Sequence, residues 1–214
     1  MKPDTDRQDL VWEEVSTEHL VTDEWIDFRK QKFRFPDGTE FEPYYTYSRR
    51  DYVVIVASDE EGRYLCVRQF RYGLREVTTE FPAGGIERSD GKQYYTGGKG
   101  WTAREKTKLG SDADAAREDA LDAAKRELAE ETGYTSENWT HLITIASNAT
   151  IADNYAHVYM ARDCKKSTEQ HLDETEYLNV ELHTAEEIEE LIKNGGFQQA
   201  IHVMAWLLAK EKDA

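Results

Sequence analysis

The chain has 214 residues, 39% of them hydrophobic, which is enough for one domain with a real core plus an added arm. Its net charge is −16, and with no long basic run to offset it, this excludes sequence-independent binding to nucleic acid or to an anionic membrane surface. No apolar run is long enough to span a bilayer, and Met1-Lys2-Pro3-Asp4 leads into polar sequence, so neither a signal peptide nor a membrane partner is expected.

Residues 10–47 carry short alternating segments such as Trp25-Ile26-Asp27-Phe28-Arg29, with a turn at Pro36-Asp37-Gly38. They read as a strand arm. Residues 48–214 form the main domain. Tyr52-Val53-Val54-Ile55-Val56 is a β-branched run that predicts a buried strand. Glu60-Glu61-Gly62 turns the chain into a strand over 63–69, and 77–81 is a further short strand. After the helix described below, 141–146, 155–161 and 177–182 read as strands. A helix is predicted over 185–193, closed by Asn194-Gly195-Gly196, and an apolar-striped helix over 197–210. The mixture is α+β. Two cysteines, Cys66 and Cys164, make neither a disulfide framework nor a metal spacing. Cytoplasmic residence is the default expectation.

Glu80 to Tyr134 is the richest segment. It opens with Glu80-Phe81-Pro82-Ala83-Gly84-Gly85-Ile86-Glu87 and closes with Arg126-Glu127-Leu128-Ala129-Glu130-Glu131-Thr132-Gly133-Tyr134. On a helix turning ~100° per residue, Glu127, Glu130 and Glu131 share an arc of roughly 100°. Their mutual repulsion, and a macrodipole that disfavours anions at a helix C-terminus, both act against this arrangement. Bound cations relieve both, and hard carboxylate oxygens suit Mg2+. Leu121, Ala124 and Leu128 form an apolar stripe beside the acids. Ala120 and Ala123 fall on the acidic face, where small side chains leave room for a ligand. Gly133 stands where a left-handed cap ends a helix. Alone, such a cluster is as readily a solvated acidic face; the glycine turn upstream favours a site.

Residues 126–134 match the second half of the Nudix box, G-x5-E-x7-R-E-U-x-E-E-x-G-U, where U is bulky and apolar. Glu118 stands eight residues before Arg126, where the box has its first glutamate. The segment E-F-P-A-G-G-I-E resembles the start of the box in ADP-ribose and nucleotide-sugar pyrophosphatases of that family. Val67-Arg68-Gln69-Phe70-Arg71-Tyr72 is similar to their V-R-Q-Y-R segment. The likeness runs from about Trp12 to Leu208 and implies a Nudix α/β/α sandwich with a mixed sheet.

Two departures stand out. Thirty-three residues separate Gly84 from Glu118 where the box has five, an insertion lying at roughly 88–115. It holds Tyr94, Tyr95, Gly97, Gly98, Gly100, Trp101 and the basic residues Arg104, Lys106 and Lys108; it reads equally as a flap over a nucleotide and as an exposed insertion. Ser111-Asp112 reads as a helix start. A helix continuous from there turns Glu118 away from the acidic arc and makes a Glu118–Arg126 pair hard to form. The second departure is Asn148, in Ser147–Asn154, where the related enzymes carry a proline.

The resemblance implies Mg2+-dependent hydrolysis of a nucleoside diphosphate sugar, with Mn2+ as the alternative ion. Glu127 and Glu131 match the main metal-binding glutamates, Glu130 a further ligand, and the Ala83 carbonyl a backbone ligand. Arg126 orients the glutamates. The base is expected on the loop 165–176, where Leu172-Asp173-Glu174-Thr175-Glu176 resembles an L-D-E-x-E stretch; Glu174 comes first, then Glu176, with Glu130 as the alternative. Arg71, Arg49 and Arg50 are candidate phosphate contacts, and Phe28 a candidate for stacking on a base. ADP-ribose leads the substrates, with ADP-glucose and GDP-mannose open. In the related enzymes the N-terminal arm exchanges between subunits, which implies a homodimer here. A ligand-sensing or interaction protein on the same scaffold is the other reading.

Overall fold

The computed structural model describes residues 10–23, 25–88, 118–172 and 176–213. The arm is an antiparallel sheet of β1 (Glu13–Thr22), β2 (Asp27–Arg34) and β3 (Glu40–Ser48). The β2–β3 turn closes through a 2.9 Å bond from Gly38 N–H to the Phe35 carbonyl, and Gly38 has φ +87°, a left-handed conformation that glycine adopts without a Cβ clash.

The main sheet contains β4 (Tyr52–Asp59), β5 (Tyr64–Arg71), β6 (Glu76–Glu80), β7 (Ala83–Gly85), β8 (Tyr134–Thr135), β9 (Asn138–Ala146), β10 (Tyr155–Lys166) and β11 (Leu178–His183). Its central order is β11-β5-β4-β10-β8, with β6 on β5, β7 on β4 and β9 on β10. The β4–β10 pair is parallel, and the other described pairs of this sheet are antiparallel.

Strand β4 is buried on both faces because helices cover both. Val53, Ile55 and Ala57 pack with Ala123, Ala124 and Leu128 of α1 (Ala120–Thr132). Val54 and Val56 point the other way, to Ile188 of α2 (Ala185–Lys193) and to Ala205, Trp206 and Ala209 of α3 (Ala200–Asp213). Strand β10 alternates in the same sense, with Tyr159 and Ala161 on the α1 side and Val158 and Met160 on the other. This two-residue period is what a strand buried on both faces requires. Each fully buried Val, Leu or Ile contributes about 1.5–3 kcal/mol of transfer free energy. Cys66 sits in the second core, where burial pushes its thiol pKa far up. Among the described residues no helix is long and apolar enough to cross a membrane.

Three expectations need correction. Helix α1 begins at Ala120, capped by the Asp119 side chain, so Glu118 precedes the helix; Ser111 and Asp112 lie outside the described residues. Ala123 is wholly buried in the core and opens no room for a ligand; Ala120 is partly buried and packs against the same cluster. Helix α3 starts at Ala200, not 197, because the Phe197 amide is still bonded to the Leu191 carbonyl of α2, at 3.2 Å.

The arm meets the main domain at the β9–β10 loop. Tyr47 N–H donates to the Ile151 carbonyl at 2.8 Å, the Tyr44 hydroxyl to the Thr150 carbonyl at 2.7 Å, and the Ser48 hydroxyl to Asp153. Asn148, where the proline was expected, accepts at its carbonyl from the Ile151 and Ala152 amides at 3.1 and 2.8 Å, so this loop keeps a closed turn.

Candidate active site

Helix α1 ends as its sequence predicts. Gly133 takes φ +75° and donates to the Ala129 carbonyl. A Cβ there would also lie 2.5 Å from the Thr168 carbonyl oxygen, so glycine is required twice over. The last-turn carbonyls are satisfied by the loop after β10. His171 N–H donates to Glu130 O at 2.8 Å, and Gln170 Nε2 to Glu131 O at 2.7 Å. Ser167 and Thr168 amides donate to Gly133 O. This docking folds the loop back towards the carboxylates.

Glu127 and Glu131 are buried, at 7% and 2% exposure. Burial comes first in pushing the Glu127 pKa up to about 7; Arg126 opposes it, while the charges of Glu130 and Glu176 add to it. Burial, then Glu127, raises Glu131 well above the carboxylate range. Its Oε2 accepts from Ala83 N–H at 2.9 Å, which fixes helix α1 to the turn before Gly84.

The two glycines of that turn have separate steric reasons. A Cβ on Gly84 would lie 1.9 Å from the Glu127 carboxylate carbon, and one on Gly85 would lie 2.0 Å from Arg50 Nε. Both positions sit on β7, paired with Val53 and Tyr52. Side chains from helix α1 and from the link between β3 and β4 therefore cross the bare backbone.

Arg126 is the hub. Nη1 donates to Glu127 Oε1 at 2.8 Å and Glu130 Oε2 at 2.9 Å; Nη2 donates to the Gly85 carbonyl at 3.0 Å and Glu118 Oε2 at 2.9 Å. Nε donates to Glu118 Oε1 at 3.1 Å. These five bonds equal the five N–H groups of a guanidinium. The Glu118–Arg126 pair thus forms, contrary to the continuous-helix expectation, because Glu118 approaches from outside the helix. Glu118 also exchanges bonds with Glu87: its amide donates to the Glu87 carbonyl at 3.0 Å, and Oε2 accepts the Glu87 amide at 3.1 Å. Glu87 and Glu118, which flank the long insertion, are therefore joined, and Glu118 shares Arg126 Nη2 with the Gly85 carbonyl. The box spacing marks the insertion between Glu87 and Glu118, but no local sequence period signals the contact itself.

The remaining candidates divide. Glu176 brings its charge to bear on Glu127, Glu131 and Arg71; Glu174 lies outside the described residues. Arg71 is gripped by Glu80, with Nε 2.9 and 3.1 Å from the two carboxylate oxygens and Nη2 2.5 Å from Oε2. Arg50 lies along Gly85 beside the site, and Arg49 is exposed. Phe28 stacks on Tyr45 within the arm, with centroids 5.7 Å apart and planes 10° apart.

Among the described residues no three His, Cys, Asp or Glu side chains already converge as metal ligands. The donor set nonetheless fits a hard divalent cation. Two neighbouring buried carboxylates resist ionisation together, and a cation would stabilise both charges.

This fold and this box define a Nudix protein: the NUDIX domain family model matches residues 48–207, and the chain belongs to the Nudix hydrolase family. The ADP-ribose pyrophosphatase of Bacillus subtilis (strain 168) is 25% identical over 187 residues, covering 84% of this chain and 82% of that protein. The methanol dehydrogenase activator of Bacillus methanolicus is 30% identical over 186 residues, with the same coverage of 84% and 82%. The crystal structure of an ADP compounds hydrolase shares the fold with a TM-score of 0.68 at 18% identity, over 94% of this chain and 92% of that one.

Proposed function

We propose that this Nudix hydrolase cleaves the diphosphate of ADP-ribose or a related nucleoside diphosphate sugar, giving a nucleoside monophosphate and a sugar phosphate. The observation that carries this is the buried pair Glu127 and Glu131, set on the Ala83–Gly85 turn and organised by Arg126. Glu127 and Glu131, with Glu130 and the Ala83 carbonyl, would hold Mg2+ or Mn2+. The ion supplies charge neutralisation at the phosphoryl oxygens and a more acidic bound water. Arg126 fixes the direction of Glu127 and Glu130, and Ala83 N–H that of Glu131. Arg71 and Arg50 supply positive charge that keeps an anionic diphosphate from being repelled by the acids, with Arg49 a further candidate. Glu176 and Glu174 are the candidate acceptors of the water proton; the bond from Arg126 makes Glu130 the weaker one.

The arm supports a homodimer. Val15, Leu20 and Val21 on β1 and the neighbouring Trp12 and Trp25 are exposed, as expected if a second subunit covers them. Light scattering would show one protomer mass if this is wrong.

The decisive experiment is AMP or phosphate release with Mg2+ across a panel of nucleoside diphosphate sugars including ADP-ribose. Cleavage of one member fixes class and substrate. No cleavage with either Mg2+ or Mn2+ points to a sensor or to a diphosphate outside the panel, and direct binding is then measured. The second reading, a protein acting on a partner, draws on the relative named as a methanol dehydrogenase activator; it requires a response that survives Glu131→Gln.

A further inference from the structure

We propose that Glu80 is a positioning residue that holds Arg71 in place to meet a phosphate of the substrate; this rests on the nucleoside diphosphate reading above. Glu80 ends β6 and is 0% exposed. Its carboxylate takes three contacts from the Nε–Nη2 edge of Arg71, and the Thr78 hydroxyl donates to Oε1. One edge of the guanidinium is thereby fixed, and its charge acts on Glu131 and Glu176.

Stability alone is a poor reason for this arrangement. Burying a carboxylate with its cation is often no better than an apolar pair of the same volume. The location supplies a reason. Glu80 lies three residues before Ala83, on the segment whose amide holds Glu131. Around that point the charges are mostly negative, which repels an anionic diphosphate. A guanidinium there must be kept from collapsing onto Glu131 or Glu176. A second carboxylate behind it does this, and it holds the fork in one plane for a planar contact with phosphate.

The test compares wild type, Glu80→Gln, Arg71→Ala and the double variant. It reads kcat and KM for ADP-ribose, equilibrium binding of ADP-ribose by calorimetry, and solvent exchange of the Arg71 Nε–H by NMR. Positioning predicts that Glu80→Gln raises KM about tenfold or more while kcat changes far less, and that Arg71 Nε–H exchange accelerates. The double variant should be no worse than Arg71→Ala, because both act through one guanidinium. A wild-type KM in folded Glu80→Gln, or effects that multiply in the double variant, overturns the proposal. If Glu80→Gln does not fold, Thr78→Val loosens the same carboxylate, and an unchanged KM there overturns it equally. Wild type that binds ADP-ribose without cleaving it, with binding weakened by Glu80→Gln, supports positioning while removing the hydrolytic reading. Active wild type with Glu80→Gln unchanged in KM does the reverse.

Discussion

Glu118 lies outside helix α1 yet grips Arg126 with both carboxylate oxygens, at 3.1 and 2.9 Å. The same carboxylate accepts the Glu87 amide, so one side chain joins the neck of the insertion to the hub that orients Glu127 and Glu130. Two consequences separate on mutation. Glu118→Ala should lower kcat by roughly tenfold, because Arg126 loses the partner that sets its plane. It should also cost about 1–2 kcal/mol in stability from the lost charge-assisted bonds. Steady-state kinetics beside thermal unfolding checks both. A fall in stability with full activity would show that Arg126 needs no fixing from this side.

The paired glycines give a sharper contrast. Gly84→Ala drives a methyl into the Glu127 carboxylate, while Gly85→Ala drives one into Arg50. In each case the obstacle is the end of a flexible side chain, so the fold should survive both. If Glu127 holds metal as proposed, Gly84→Ala should lose about a hundredfold in kcat/KM by displacing that carboxylate on the order of 1 Å. Gly85→Ala should be milder, because Arg50 can pivot aside. Equal losses in the two variants would contradict this division of roles.

Much of this was legible in the sequence, for a physical reason. The unbroken β-branched run of β4 and the helix α1 ending at Gly133 are local signals, set by burial of a strand on both faces and by a left-handed cap. The acidic arc is likewise local, since helix geometry alone brings Glu127 to Glu131. What stayed hidden depends on distant contacts. Whether Ala123 faces a ligand or the core is decided by where β4 lies against the helix. Arg71 reads as a free phosphate contact until Glu80 is seen across the β5–β6 pair. Neither Glu118's approach from outside the helix nor the loop that brings Glu176 towards the carboxylates follows from any sequence period.

Metal should stabilise the folded protein through Glu127 and Glu131. Saturating Mg2+ at about a hundred times its Kd raises stability by about 2.7 kcal/mol. Glu131→Gln replaces a buried carboxyl that resists ionisation by a neutral amide whose oxygen still accepts from Ala83 N–H. Its metal-free melting temperature should be no lower than wild type, its Mg2+-dependent rise should vanish, and its turnover should fall by orders of magnitude. A full Mg2+ shift in Glu131→Gln would place the ion elsewhere.

His202 ties the C-terminal helix to the site and makes stability depend on pH. It is buried on α3, and its Nδ1 accepts from Phe81 N–H at 3.1 Å, one residue beyond Glu80. Burial comes first in pushing its pKa down from 6.5 to about 4, with Glu80 opposing and Arg71 assisting. The folded protein therefore resists protonation while the unfolded chain takes up a proton below about 6.5. This contribution is fully present above pH 6.5 and is lost as pH falls from 6.5 to about 4. Across that window it amounts to about 3 kcal/mol, near 1.4 kcal/mol per pH unit. His202→Leu removes this slope but orphans the Phe81 amide at a cost of about 1–3 kcal/mol. Denaturant titrations at several pH values should give wild type and variant curves that converge towards pH 4. Parallel curves would mean that His202 titrates alike in the folded and unfolded chains.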